Sequence, residues 1–353
     1  MKVLVIRFRQ MGDAVLATSL LNSIRRSFPG AEIHFVLNSQ LEDLFRGHPA
    51  IDRIISFTPE VRHSPLRYLW KIFRLMAAER YDAVIDLRST PNCLPFSLFA
   101  PFARLRVGLA KSYTRFVMNR RIPLDDPLAD VVTHNLRFLE PLSVFGPLKP
   151  TRDFSLAVSP DELEDYRRYL RSEGVDLSRP LLLCGVVSKL AHKSWPMDRM
   201  RTVMASIVRE FPDWQIVFNY APGYEEEAAR RLYADLGSPA SIYINVRAAT
   251  MRQLVCLASL STAYFGNEGG ARHIAQAVGT PSLVIVSPDV RKSNWIIPNS
   301  VEALALSPSD ALTDDSAVES RLASMSYESR YALITPDLVL SSLRPFLRRH
   351  ATH

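Results

Sequence analysis

The stretch Ala263–Ser287, AYFGNEGGARHIAQAVGTPSLVIVS, decides the fold. It reads as a buried strand, a glycine turn, a helix and a second strand. Ala263–Gly266 is a short apolar run that ends at a turn. From His273 the spacing puts Ile274, Ala277 and Val278 on one helical face, and Gly279 stops the helix. Gly269 and Gly270 stand where strand becomes helix, so nothing larger than a hydrogen blocks an approaching ligand. The first free N–H groups of that helix point at the same spot, and the helix dipole favours negative charge there. A phosphate or diphosphate is the natural occupant. A Gly-Gly turn can serve merely to close a crossover, but Asn267, Glu268, Arg272 and His273 surround this one with four polar side chains, more than a structural turn needs.

The rest of the chain has the composition to support such a site. Its 353 residues suit two domains of about 150 to 180 residues, and 47% hydrophobic content supplies two cores. No apolar run reaches the ~18 residues that span a bilayer, and MKVLVIRF lacks the build of a signal sequence, so the expected location is the cytoplasm. Cys93, Cys184 and Cys256 are far apart among apolar neighbours, which suits buried, reduced thiols. The eight histidines show no ligand spacing, so no metal site is expected. A net charge of +7 favours anionic partners: nucleotides, acidic glycolipids or a membrane surface. Nucleic acid is not an expected partner, because no motif for it is present.

Strand and helix alternate from the start. Lys2–Phe8 suits a central parallel strand buried on both faces. Gln10-Met11-Gly12-Asp13 then turns into a helix striped by Ala14, Leu16, Ala17, Leu20, Leu21 and Ile24, and Glu32–Leu37 is the next strand. Asp13 stands at a helix N-terminus after a strand. There it serves either as a cap or as a general base. Ile51–Phe57 and Tyr81–Leu87 read as strands and Leu66–Ala78 as a helix. In that helix Arg67, Lys71 and Arg74 interleave with Tyr68, Trp70 and Phe73. It suits a surface helix packed on the sheet, the preferred reading, or one lying on an anionic membrane. PFSLFAPF, from Pro95 to Phe102, suits core or a lipid-facing lip. Arg104, Arg106, Lys111, Arg115, Arg120 and Arg121 form a basic cluster, by default a solvated face and otherwise the lining of a site for a phosphorylated acceptor.

Breakers between Pro141 and Pro150 mark a linker. Ser159-Pro160-Asp161-Glu162 is a capping box that opens a charged helix. Leu181–Val187 is the second domain's first strand. Ser188 and Lys193 follow it, where a lysine can neutralise a diphosphate, although a lone lysine before a helix is usually just solvated. Met197–Phe211 is a helix, Gln215–Tyr220 a strand, and Glu225-Glu226-Glu227 begins the next helix, where acids suit the dipole. Ser241–Asn245 reads as a strand, Met251–Leu260 as a helix, Val301–Leu306 as a strand, Pro308–Met325 as an acidic loop and Pro336–Arg348 as a helix kinked at Pro345. Two α/β domains with ligand-facing turns at strand carboxyl ends imply a cleft.

Four stretches, in this order, resemble glycosyltransferase family 9, the heptosyltransferases of bacterial lipopolysaccharide core synthesis. VLVIRFRQMGDAVLATSLLNSIRRSFPGAEIHFV is similar to that family's first strand, Gly-Asp turn and helix, and YDAVIDLRST to a later acceptor-domain strand. HKSWP is similar to its Lys-x-Trp-Pro segment, and FGNEGGARHIAQAVGTP to its Asn-Asp-Thr-Gly-x-x-His signature. The resemblance covers nearly the whole chain. It implies an α/β fold of the GT-B type, two Rossmann-like domains facing each other across a cleft. Residues 1–150 would bind the acceptor and 151–335 the nucleotide-sugar donor, with 336–353 as a C-terminal helix and tail.

The implied reaction is inverting transfer of a sugar, heptose from ADP-heptose, to a lipopolysaccharide-core or related glycan acceptor. It needs no metal and no cofactor beyond the ADP-linked co-substrate, in agreement with the absence of an Asp-x-Asp sequence. Asp13 and Lys193 would be catalytic. Gly12, Ser188, Glu268, Gly269, Gly270 and His273 would hold donor and phosphate, and Glu226 or Glu227 the ribose. The implied partners are a nucleotide-sugar donor and a glycolipid or oligosaccharide acceptor, with a peripheral inner-membrane contact open. Where the family has Asp-Thr, this chain has Glu268-Gly269, which removes a hydroxyl from the phosphate site and makes Arg272 a candidate replacement. Another nucleotide sugar, or a binding protein without chemistry, are the alternatives. An epimerase would have no use for an acceptor domain, and a nicotinamide dehydrogenase lacks its Gly-x-Gly-x-x-Gly.

Overall fold

Two apolar runs, Lys2–Ile6 (β1) and Leu181–Gly185 (β7), become inner strands of two separate parallel sheets. The computed structural model describes residues 1–8, 10–123, 126, 129–312 and 318–351, and the chain divides into units Met1–Ala157 and Val158–His353. In the first unit β1 is joined by Glu32–Asn38 (β2), Arg53–Phe57 (β3), Ala83–Asp86 (β4), Leu105–Leu109 (β5) and Arg120–Ile122 (β6) in the order β3-β2-β1-β4-β5-β6. In the second, β7 is joined by Gln215–Phe218 (β8), Ala263–Asn267 (β9), Ser282–Ile285 (β10) and Ala303–Leu306 (β11) in the order β11-β10-β9-β7-β8.

Each order reverses direction once. The reversal falls between β1 and β4 in one sheet and between β7 and β9 in the other. In open parallel sheets the chain diverges on either side of such a point, which opens a crevice at the strand carboxyl ends. Apart from Glu226 and Glu227, which follow β8, the sequence-derived site residues follow β1, β7 and β9, so topology places them at the two reversals.

Burial holds the first of these elements. All six residues of the stripe from Ala14 to Ile24 are buried, and each large one contributes about 1.5–3 kcal/mol. The helix Met11–Leu16 and its continuation Thr18–Ser27 therefore need no capping side chain, and Gln10 supplies none. In the second unit the capping box forms as read: Ser159 Oγ accepts the Glu162 N–H and the Glu162 carboxylate accepts the Ser159 N–H, at the start of Pro160–Ser172.

The structure differs from the sequence reading in four places. The unit boundary falls after Ala157 rather than Pro150, because hydroxyls on Thr18–Ser27 draw the linker back: Ser27, Ser23 and Thr18 accept the N–H groups of Lys149, Thr151 and Ser155 at 2.8, 2.9 and 3.0 Å. Ser241–Asn245 is not a strand. It makes a single bridge, Ile216 to Ile242, and the Ile244 N–H then folds back onto the Ile242 carbonyl. Within Pro308–Met325 a short 3-10 turn, Pro308–Ala311, precedes the helix Val318–Ala323, while residues 313–317 lie outside those described. The C-terminal helix, Pro336–His350, is not a separate tail. Val339, Leu343, Phe346 and Leu347 enter the second core, and Arg344 grips Glu210 with two bonds of 2.7 and 2.8 Å.

Candidate active site

At the second unit's reversal, β7 and β9 run side by side with Gly185 opposite Gly266. Neither position admits a side chain. A Cβ on Gly266 would lie 2.3 Å from the Gly185 carbonyl oxygen, and one on Gly185 would lie 2.2 Å from the Tyr264 hydroxyl. Gly266 also has φ +150°, which L side chains rarely adopt. The close approach lets Asn267, 2% exposed, reach across: its Nδ2 donates to the Gly185 and Val186 carbonyls at 3.1 and 2.9 Å, and its Oδ1 accepts the Trp195 N–H at 2.7 Å. A buried amide with its capacity so used is a rigid clamp. Trp195, wholly buried, donates its ring N–H to Ile334 at 3.1 Å.

The clamp fixes the segment 188–194. Ser194 Oγ accepts the Ser188 N–H at 2.8 Å, and the Tyr327 and Tyr331 hydroxyls donate to the His192 and Lys193 carbonyls at 2.7 and 2.8 Å. Lys193 Nζ consequently stands 3.4 Å from Glu268 Oε1, which also accepts the Ser287 hydroxyl at 2.9 Å. Lys193, on the segment after β7, is thus brought to Glu268, which precedes Gly269 and the start of the helix Gly270–Ala277, while Ser188 is held on the same segment by Ser194. Gly269 is extended, and a Cβ there would meet nothing within 4 Å. The space in front of this helix N-terminus is open, whereas the glycines demanded by packing lie behind it.

Arg272 and His273 are buried and engaged with each other. Arg272 is 2% exposed and His273 5%. The Arg272 guanidinium donates to Gln276 Oε1 and the Trp295 carbonyl, and lies 3.1 Å from His273 Nδ1. Burial lowers the arginine to about 10, which leaves it charged at neutral pH. Burial, then the Arg272 charge, holds His273 far below its ordinary range, so it is a neutral imidazole. His273 can act toward a ligand only as a neutral hydrogen-bonding group. Of the ribose candidates, Glu226 is held by Arg230 at 3.0 Å while Glu227 is exposed, both in the first turn of Tyr224–Asp235, which follows β8 beside β7.

The reversal in the first unit is built from acids and arginine. Asp13, 7% exposed, is not a cap: it sits inside the helix Met11–Leu16 and takes the Arg7 guanidinium at 2.8 Å, which in turn donates to the Leu87 carbonyl at 3.1 Å. Gly12 is buried beside it, in this unit rather than with Ser188 and Gly269. Sequence reading passed over Asp86, which ends β4 opposite Ile6 and is fully buried. Its Oδ1 accepts the Arg88 and Ser89 N–H groups at 3.0 and 2.8 Å, while its Oδ2 has no hydrogen-bond partner among the described residues. Burial raises it to about 6, against the pull of those N–H groups, Lys111 and Arg7. The available signal was an acid closing an otherwise apolar strand, Ala-Val-Ile-Asp. Of the basic cluster, Lys111 turns inward to the Arg88 and Ser89 carbonyls, both at 3.1 Å. Among the described residues Glu32, His34 and Glu79 have metal-ligand spacing, but Lys2 Nζ already lies 3.1 and 2.7 Å from the two carboxylates.

The model of glycosyltransferase family 9 (heptosyltransferase) matches residues 69–292, well over half the chain. The chain belongs to glycosyltransferase family 9. It is 22% identical to lipopolysaccharide heptosyltransferase 1 of Campylobacter coli, over 81% of this chain and 83% of that protein. In structure it is similar to a family 9 glycosyltransferase from Veillonella parvula, with a TM-score of 0.80 at 17% identity over 99% and 97% of the two chains. It is also similar to the Escherichia coli ADP-heptose lps heptosyltransferase II, with a TM-score of 0.72 at 20% identity over 99% of each. This family 9 enzyme has the GT-B fold, two α/β units each built on a parallel sheet, and its activity is glycosyl transfer.

Proposed function

We propose that the enzyme moves heptose from ADP-heptose to a lipopolysaccharide-core acceptor, with inversion and without a metal or other cofactor. The observation that supports the donor half is the meeting of Lys193, on the segment that also carries Ser188, with Glu268 just ahead of the Gly270–Ala277 helix. An ammonium and free N–H groups suit a diphosphate. Glu268, with two acceptor oxygens, suits sugar hydroxyls, and Glu227 is the better placed of the two acids for the ribose, since Glu226 is engaged by Arg230. The named relatives from C. coli and E. coli support heptose, ADP and lipopolysaccharide.

The step is a single displacement. An acceptor hydroxyl is too weakly acidic to ionise at neutral pH, so Asp13 takes its proton while the oxygen bonds to the anomeric carbon. The bond from that carbon to the diphosphate oxygen breaks on the opposite face, and ADP departs with the electron pair. Lys193, the Gly269 and Gly270 amides and a neutral His273 stabilise the charge that develops. Arg7 keeps the Asp13 carboxylate in one orientation.

The test is ADP release from ADP-heptose with a heptose-deficient lipopolysaccharide acceptor, and the anomeric configuration of the product by NMR. Release with inversion that survives EDTA is expected. Retention, or loss on chelation, would overturn the mechanism, and release from a UDP- or GDP-sugar instead would overturn the donor.

A further inference from the structure

The outward face of the helix Pro65–Glu79 serves neither site. Its inner stripe, Tyr68, Ile72 and Met76, is buried, which is all that a helix on a soluble core requires. A second apolar stripe lies on the other side. Leu66, Trp70 and Phe73 are 83%, 60% and 46% exposed, at spacings of four and three residues that share one face. Phe73 meets Phe99 edge-on at 5.6 Å, which carries the stripe to the Leu94–Leu98 helix and its loop, where Leu98 is 60% and Phe102 99% exposed. Arg106 donates to the carbonyls of Ala100, Pro101 and Val117, which ties the loop before Phe102 to the segment that carries the exposed Phe116. Single exposed apolar residues are ordinary, but a contiguous run of them marks an interaction surface.

The surrounding charge identifies the partner. Residues 61–121 contain twelve Lys and Arg against three acids, so the positive charge of the whole chain is concentrated here. Glu79 is paired with Lys2 and Arg53, Asp82 accepts the Lys2 N–H, and Asp86 is buried. Arg67, Arg74, Arg104 and Arg115 are exposed among the apolar side chains. A second copy presenting this basic face would be repelled. A bilayer with an anionic surface satisfies both features, because rings and leucines enter the boundary between headgroups and acyl chains while guanidiniums meet lipid phosphates. No helix among the described residues is long and apolar enough to cross a membrane.

We propose that this face of the first unit docks in the plane of an anionic lipid bilayer, with Trp70 and Phe102 as its anchors. The proposal does not depend on which nucleotide sugar is the donor.

Flotation of the full chain with phosphatidylcholine vesicles, with and without phosphatidylglycerol, tests it. The protein should float with the anionic vesicles at least about tenfold more tightly than with neutral ones, and added salt should release it. Tryptophan fluorescence should shift to the blue on binding and the shift should be lost in Trp70→Phe, since Trp195 and Trp214 are already buried and the half-buried Trp295 belongs to the second unit. Trp70→Ser with Phe102→Ser should abolish flotation at an unchanged thermal midpoint. Arg67→Glu with Arg74→Glu should separately remove the anionic preference. No flotation of the wild type, flotation of both double variants equal to that of the wild type, or a soluble dimer that Trp70→Ser with Phe102→Ser dissociates in sedimentation would each overturn the proposal.

Discussion

The two sheet reversals are alike in topology and opposite in chemistry. Between β7 and β9 the polar side chains are committed: Asn267 to three backbone groups, Ser194 to the Ser188 N–H, Ser287 and Lys193 to Glu268. Between β1 and β4 two buried carboxylates, Asp13 and Asp86, share the neighbourhood of Arg7, and one carboxylate oxygen of Asp86 is left without a partner. The difference follows from the ligands proposed for them. A diphosphate needs several donors held in fixed positions, which a cross-linked loop supplies before binding. A hydroxyl proton needs one acceptor held still, which a single guanidinium achieves. One fold element has been given two roles through the residues at its turn.

The contrast can be broken at its largest effect first. Asp13→Asn should lower kcat by roughly 10²–10⁴ while calorimetry shows ADP affinity unchanged, and a matching loss of ADP affinity would mean that the two reversals do not divide the work. Next in size, Gly266→Ala should cost about 3 kcal/mol or more by denaturant unfolding, because its Cβ meets backbone at a strained φ. Gly269→Ala should stay within about 0.5 kcal/mol in stability and act only on donor affinity. Equal destabilisation by both would remove the distinction between packing and ligand glycines.

Acid sharpens the comparison in the first unit. His48 is 2% exposed, accepts the Ala50 N–H and lies 3.1 Å from the Ser155 carbonyl, and burial lowers it from 6.5 to about 4. The unfolded chain takes up that proton first, so the contribution is complete above pH 6.5 and declines toward pH 4, by up to about 3 kcal/mol. Asp86 has the opposite sign: with its folded value raised to about 6, it costs stability as pH rises through 6 and partly offsets the acid loss. Unfolding of wild type and His48→Gln at pH 7, 5 and 4 should show the decline in wild type and a flatter profile in the variant. Lys193→Met should cost about 1.5–3 kcal/mol in ADP binding by calorimetry; no change would leave the anion to the helix N-terminus.

Much of this was legible in one dimension because it rests on local chemistry. The stripe from Ala14 to Ile24, the Ser159–Glu162 box and the strand-turn-helix at Gly269 each depend on neighbours within a few residues. Ser241–Asn245 was misread because two buried isoleucines, Ile242 and Ile244, look like a strand although the backbone turns between them. Arg272 was read as a ligand-facing group; its burial under Trp295, twenty-three residues on, could not be seen locally. Asp86 was quoted but not singled out, since its meaning comes from β1 beside it.

By itself the sequence determined the alternation of strands and helices, the two-unit α/β class and the set of residues that stand after strand ends. Periodicity, capping and glycine turns are properties of short stretches, so they survive in the order of the letters. Only the tertiary structure decided that β7 lies against β9 and β1 against β4, and hence that Lys193 meets Glu268 and that Asp86 joins Asp13 near Arg7. Lys193 and Glu268 are 75 positions apart, and Ile6 and Asp86, opposite each other in the sheet, are 80; such pairings arise from the order in which strands enter a sheet, a choice made by burial across the whole unit rather than by any one stretch.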